Sequence, residues 1–440
     1  MTARPALLLS VVLLAVTGCT GGAGADSSAT RVPVPASTVR PTSDVEPLRF
    51  DKKPLWDRTT SHTGGEDSAL DEINDFELLG DQLLYVGEKP DSHAARIVVA
   101  DVATGKVRWS LTSGESLGSG AGTADLGASI SAPTVAWVGG AWVVLVGYHK
   151  RNGAAMEEGV AALWGARGSV RWKIPVLADN RRGGDTRNND WYSTYIGSTD
   201  GRTLLVDVTT FKPDDGTTSS TVAYDLTTQK KLWEAPGIDP WTVQGDTVYG
   251  EKPKPGSRDV PDDRGEEDAV VVALDAKTGK RKWDLGKRYP TSHMRRATDE
   301  LLVVAVEDGA VFLDPDSGRK LAHLGKEIEW CGDQTGFVVC SVGEDHAPDL
   351  VTARRTGAKV TVTQLLDTGG GDLRRVWKDW LVVARFNREF TCTLLDRSGR
   401  RVGTKLPGCI GAIDEHHVVL YRGRTDIGSD VEFAVHRLAG

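Results

Sequence analysis

The chain has few cysteines, five in 440 residues, and no Cys-x-x-Cys pair, so it lacks the knuckles of a structural zinc site. It has no long stretch of helical periodicity and no cluster of basic residues like a recognition helix. A formal charge of -8 predicts a soluble body with no general affinity for nucleic acid or anionic lipid. No Gly-x-Ser-x-Gly or His-Glu-x-x-His surrounds a histidine. His149, His293, His346, His416 and His417 are scattered, and such a residue at a strand end is usually just solvated. No catalytic, metal-ligating or cofactor-binding set emerges, and no enzyme is expected. Arg258 to Asp268, RDVPDDRGEED, is acidic enough to attract a cation but lacks the ligand order of a calcium loop.

What is present is a repeat. AVVVALDAKTGKRKWDLG, Ala269 to Gly286, reads as an apolar strand, an Asp-x-x-Thr-Gly turn and a strand carrying one Trp. Asp275 suits the turn by accepting backbone hydrogen bonds, and Gly279 by tolerating positive φ. Copies run from Ile97 to Leu111, Val160 to Ile174 and Val222 to Ala235, with fainter ones from Val311 and Thr393. Self-similarity at a period of tens of residues decides the fold. Seven four-stranded units follow one another from Phe76 to Leu406. An eighth, from Cys409 to Leu438, offers only three strands. Its missing strand is the orphan at Lys53 to Trp56, since KPLWD matches KKLWE and KRKWD. The expectation is all-β: an eight-bladed β-propeller over residues 47–440, closed by its N-terminal strand, with seven blades as the alternative.

Residues 1–18 read as a signal peptide: Arg4, an apolar run from Ala6 to Val16, then Val16-Thr17-Gly18-Cys19. This resembles a bacterial lipobox, which implies acylation of Cys19 and a lipid anchor on the extracytoplasmic side of the membrane. Residues 19–46, rich in Gly, Ser, Thr and Pro, read as a tether of roughly 30 Å. An exported chain can oxidise Cys331, Cys340, Cys392 and Cys409. Four cysteines allow three pairings. Cys331 and Cys340 flank a predicted hairpin on compatible positions, which favours that pair and leaves Cys392 with Cys409.

The (V/L)xxxDxxTGxxxW pattern resembles the pyrroloquinoline-quinone-like (PQQ-like) propeller repeat, whose turn and Trp dock one blade onto the next. Asp101, Thr104, Gly105 and Trp109 fit it, as do Asp275, Thr278, Gly279 and Trp283. Asp225 and Trp233 fit, with Gln229 in place of the turn Gly. Trp172 fits, with Gly165 read at the Asp position. Blades five to seven lose the Trp. Quinone dehydrogenases of this fold carry adjacent bonded cysteines, and no Cys-Cys pair exists here, so no cofactor is expected. A lipobox with an eight-bladed ring is also similar to the scaffold lipoprotein of the outer-membrane β-barrel assembly machinery. The resemblance implies protein scaffolding at the cell envelope. A glycan or small-ligand site in the central funnel and a degenerate quinoprotein are the alternatives.

The longest connections, including His149 to Gly159, Leu177 to Trp191, Phe211 to Ser220 and Lys252 to Asp268, are expected on one face. The richest holds Arg181, Arg182, Arg187, Trp191 and Tyr192, a mixture suited to contacts with a protein partner or an envelope glycan.

Overall fold

A computed structural model describes residues 45, 48–61, 76–88, 95–113, 126–152, 155–177, 191–212, 216–253, 269–334, 337–343, 349–365, 372–386, 390–402, 406–422 and 430–439. The signal peptide, Cys19 and the tether lie outside them, apart from Val45. Among the described residues there are 31 strands and no helix. They form eight antiparallel sheets, seven of four strands and one of three. The sheets are the blades of an eight-bladed β-propeller. Seven are meanders in chain order with the first strand innermost; the eighth takes its outer strand from the N-terminal end of the chain.

Blade eight (residues 409–437) is completed by β1, Trp56–Ser61, which pairs antiparallel with the last strand from Trp56 opposite Val435 to Ser61 opposite Asp430. The closing strand therefore begins where the sequence places its end: only Trp56 of Lys53 to Trp56 belongs to it. Trp56 is the register anchor, because its indole must reach blade one. Blade seven (residues 372–396) differs too. Of its expected fourth strand, Arg401 to Leu406, residues 403–405 lie outside the described residues, and the described part makes one bridge, between Leu395 and Arg401. In blade two (residues 126–177) the stretch read as a loop, His149 to Gly159, is mostly ladder. Its second strand runs Ala141–Asn152 and its third Ala155–Trp164. Phe211 to Ser220 in blade three is likewise strand on both sides of a short connection. Runs without Val-Leu density can still pair when they continue an established register.

Dense Val and Leu runs bury both faces of each sheet, as blades packed on both sides require. Val143, Val144, Leu145, Val270, Val271 and Val272 are at most 1% exposed. The blades are then locked at the turns between their third and fourth strands. In blade four Asp275 Oδ1 accepts from Thr278 N at 2.8 Å and Thr278 Oγ1 at 2.7 Å. Gly279 takes φ 67°. Its missing side chain makes room for the preceding blade's indole: a Cβ there would sit 2.7 Å from Trp233. Trp233 Nε1 donates to Ala276 O at 2.8 Å. The same lock joins Trp56 to Gly105 and Val102 O, Trp109 to Gly168 and Gly165 O, and Trp283 to Gly318 and Pro315 O.

One lock is incomplete. In blade three Gln229 stands where the glycine belongs and is forced to φ 57°. Its amide donates to Leu226 O at 3.2 Å, the carbonyl that the preceding indole would use. Trp172 Nε1 is buried there with no hydrogen-bond partner.

Both disulfides form as read: Cys331–Cys340 across one hairpin, and Cys392–Cys409 from blade seven to blade eight. The second crosses the seam beside the three-stranded blade.

Three outcomes follow for stability. Gly80 and Gly279 share φ 67°, but a Cβ at Gly80 meets nothing within 4 Å. Gly80→Ala should cost about 1–2 kcal/mol for its left-handed backbone. Gly279→Ala should cost about 1–3 kcal/mol more for driving Trp233 off its seat. Urea midpoints of the two variants check the difference. Gln229→Gly should gain about 1 kcal/mol by relieving the backbone and slow hydrogen exchange of the Trp172 indole. An unchanged exchange rate would show that Gln229 is not what displaces it. Finally, the hydrogen bond from Arg108 holds Asp101 below the usual carboxylate range. The Thr228 backbone does so for Asp225, and the Thr278 hydroxyl for Asp275. A depressed folded value means stability is fully present above the unfolded pKa and lost as pH falls through the folded one. Thermal midpoints should fall below about pH 4, less steeply in Asp101→Asn/Asp225→Asn/Asp275→Asn.

Candidate functional site

Arg181, Arg182 and Arg187 lie outside the described residues. Trp191 and Tyr192 open the innermost strand of blade three, Trp191–Thr199, with Trp191 opposite Phe211; their side chains are not among those described.

The inner strands, which border the central axis, carry charged groups spent on blade-to-blade ties. Arg296 of blade five pairs with Asp333 of blade six. Arg295 Nε donates to Ile328 O at 3.1 Å. Arg375 of blade seven donates to Gly411 O of blade eight at 2.5 Å. From the second strand of blade four, Glu251 accepts from Met294 N of the next blade's inner strand at 2.6 Å and meets His293 Nδ1 at 3.2 Å. Burial pushes Glu77 up, against the pull of the Arg375 charge. Burial pushes Arg375 down to about 10. Among the described residues no group of three or more His, Cys, Asp or Glu could hold a metal ion.

Among the described residues, a departure from the repeat lies at the short turns of blade two. Gly168 N donates to Trp164 O at 2.7 Å, just as Gly279 N donates to Asp275 O and Gly105 N to Asp101 O. Trp164, not Gly165, therefore occupies the Asp position. Gly165 is the next residue, whose carbonyl receives Trp109 Nε1 at 2.6 Å. The eight-residue spacing from Trp164 to Trp172, equal to that from Asp101 to Trp109, was the available sequence signal. Arg167 accordingly holds the Thr position. The turn's aspartate–threonine hydrogen bonds give way to cations on an indole: the Arg171 guanidinium lies 4.4 Å and that of Arg167 6.0 Å from the Trp164 ring centroid.

Trp137 stands beside this turn. It ends the inner strand ahead of Gly139-Gly140 and is 62% exposed, against 8% for Trp142 directly across the ladder. Positive φ at both glycines, 61° and 79°, makes the two-residue turn that presents it. Arg171 Nη1 donates to Val138 O at 2.6 Å, tying the fourth strand to this hairpin. In blade three the neighbouring hairpin approaches closely, a Cβ at Gly201 falling 3.1 Å from Trp137 O. The result is an exposed aromatic platform flanked by arginines.

Residues 222–379, well under half of the chain, match a family model described as that of the outer membrane protein assembly factor BamB. No curated protein matches the chain. Similar solved structures include a europium-containing methanol dehydrogenase, 11% identical, over 87% of this chain and 93% of that one, with a TM-score of 0.47. A quinohemoprotein alcohol dehydrogenase from Pseudomonas putida HK5 is 11% identical, over 83% and 74%, at 0.47. The β-propeller domain of the Trilobed protease from Pyrococcus furiosus is 12% identical, over 75% and 97%, at 0.41. These distant likenesses say nothing of activity. The family match runs from the third strand of blade three into the first hairpin of blade seven, and the Asp-x-x-Thr-Gly turn with a docked indole occurs both inside and outside it: the chain is a β-propeller whose residues 222–379 match that repeat model.

Proposed function

We propose that this chain is a lipid-anchored, extracytoplasmic scaffold that binds another protein at the cell envelope. The observation that carries the reading is the solvent-facing Trp137 beside the rebuilt Trp164 turn. An exposed Trp beside Arg is the chemistry of binding hot spots, and Trp137 is left outside the core. Two disulfides support an oxidising compartment. The lipobox ending at Cys19 supports the anchor. An oxidative role in the funnel draws less support, because the inner-strand charges Arg295, Arg296, Asp333 and Arg375 are engaged in ties between blades.

The test uses the full chain in bacterial cells. The wild type should take up labelled palmitate and sediment with membranes. Cys19→Ala should lose the label and appear in the soluble extracytoplasmic fraction. An amine-reactive crosslinker should give a discrete protein adduct with the wild type. A wild type that stays unlabelled in the cytosol would overturn the address, and the lack of any adduct would overturn the scaffold.

A further inference from the structure

We propose that the short-turn face of blade two docks an acidic protein segment, whose carboxylates replace two aspartates that this blade lacks. The proposal rests on the scaffold reading and names its contact surface and partner chemistry.

Blade one shows what the repeat ordinarily does with a cation at this place. Arg108 lies one residue before the docking Trp109. It pairs with Asp81 of the first hairpin turn at 2.6 Å and with Asp101 of the second turn at 2.9 Å. Blade four keeps the acid positions too, as Asp246 and Asp275. There Lys282, one residue before Trp283, donates to Asp246 O at 2.9 Å and Thr247 Oγ1 at 2.7 Å.

Blade two keeps the cation and loses both acids. Arg171 precedes Trp172, but the position of Asp81 is Gly140 and that of Asp101 is Trp164. Arg171 turns one donor to Val138 O and lays its plane near the Trp164 ring. A guanidinium has five N–H donors in a fork that matches a carboxylate. Arg167 adds a second cation where the repeat has Thr. Arg202, exposed on the adjoining blade-three hairpin, adds a third. Among the described residues none of the three forms an ion pair. Asp200, on the same hairpin as Arg202, is one carboxylate against three guanidinium groups, and its Oδ1 caps its own turn, accepting from Arg202 N at 2.8 Å and Thr203 N at 2.7 Å.

Charge complementarity therefore asks for carboxylates, held by Arg171, Arg167 and Arg202, with an apolar side chain against Trp137. The chain's overall negative charge makes this local positive field selective, since most of the surface repels the same segment.

The probe is a fluorescent twelve-residue peptide rich in Glu and carrying one Phe, titrated by anisotropy against the full chain. Controls are the same peptide with Lys or Gln for Glu, and polygalacturonate as an anionic glycan. The acidic peptide should bind, weaken as salt is raised, and outcompete all three controls. Trp137→Ala and Arg171→Glu should each lower affinity at least about tenfold. Trp164→Asp/Arg167→Thr rebuilds the ordinary turn, so it should fold with an unchanged circular dichroism spectrum yet lose binding. Equal affinity in that variant, tighter binding of polygalacturonate or of the Lys peptide, or no binding of the acidic peptide would each overturn the proposal. The crosslinked adduct separates the two claims. Its persistence at wild-type level in these variants sinks this surface and leaves the scaffold reading standing, whereas its absence from the wild type sinks both.

Discussion

An indole lying over a glycine turn holds this ring together. The contact needs three things at once: a turn whose fourth-strand approach is tight, a residue with no Cβ at φ near 67°, and a carbonyl one residue beyond the turn's aspartate. Each requirement sits in a different part of the repeat, yet all meet at one point between blades. The indole fills the space that a side chain would take, and its N–H satisfies a carbonyl that the turn leaves unpaired. Because the donor belongs to one blade and the seat to the next, the lock also sets blade order. Trp56 extends it across the chain's ends, reaching Val102 O in blade one from the strand that completes blade eight. Arg58 reinforces that seam by donating to Gly105 O at 3.0 Å.

Where the lock fails, other chemistry takes its place. Blades five to seven lack the Trp, and their seams are joined by arginine. Arg355 of blade six reaches back to Asp314 at 2.7 Å and to Glu300 O at 2.8 Å, while Arg296 and Arg375 reach forward. A guanidinium can bridge seams of differing width, which an indole on a fixed seat cannot. Between blades seven and eight the seam gains a covalent tie in Cys392–Cys409. Among the described residues the seam between blades two and three shows neither device. Gln229 removes the seat and takes the carbonyl, and apolar packing of Leu204, Val206 and Leu226 against blade two carries the contact.

Much of this was legible in the sequence, because packing and turn chemistry recur at a fixed spacing. The repeat placed Asp275, Gly279 and Trp283 in the roles they fill, and the blade count, the closing role of Trp56 and both cysteine pairs follow from it. Three features were obscured for physical reasons. Strand ends are set by the partner's register, so Trp56–Ser61 extends along Asp430–Arg437 through residues with no apolar signal. The hairpin of Ala141–Asn152 and Ala155–Trp164 carries polar residues that read as a loop until a neighbouring strand supplies its hydrogen bonds. Trp164 was hidden because an aromatic in a polar turn position breaks the pattern used to find the turn. The candidate loop at Arg181 to Tyr192 drew attention by composition alone, whereas the blade-two patch emerges only when blades are superposed position by position.

That comparison explains why a repeat protein can be read for function by its departures. Most substitutions in a repeat are answered locally. Gly for Asp at position 81's equivalent could have been matched by loss of the cation, and Trp for Asp at the turn by a shift of the chain. In blade two neither happened. The turn keeps its backbone hydrogen bonds, Gly168 keeps its seat beneath Trp109, and Arg171 keeps its charge. Only the carboxylates are gone, and the space they leave faces water beside an exposed indole. A cation retained after its internal partners are removed costs little in solvent, so stability alone neither demands nor forbids it. The same cation gains its full value when a partner covers the indole and excludes water, because a carboxylate brought to it then meets a guanidinium in a drier field. The arrangement is one in which the fold has kept the rigid half of a salt bridge and left the other half to be supplied from outside.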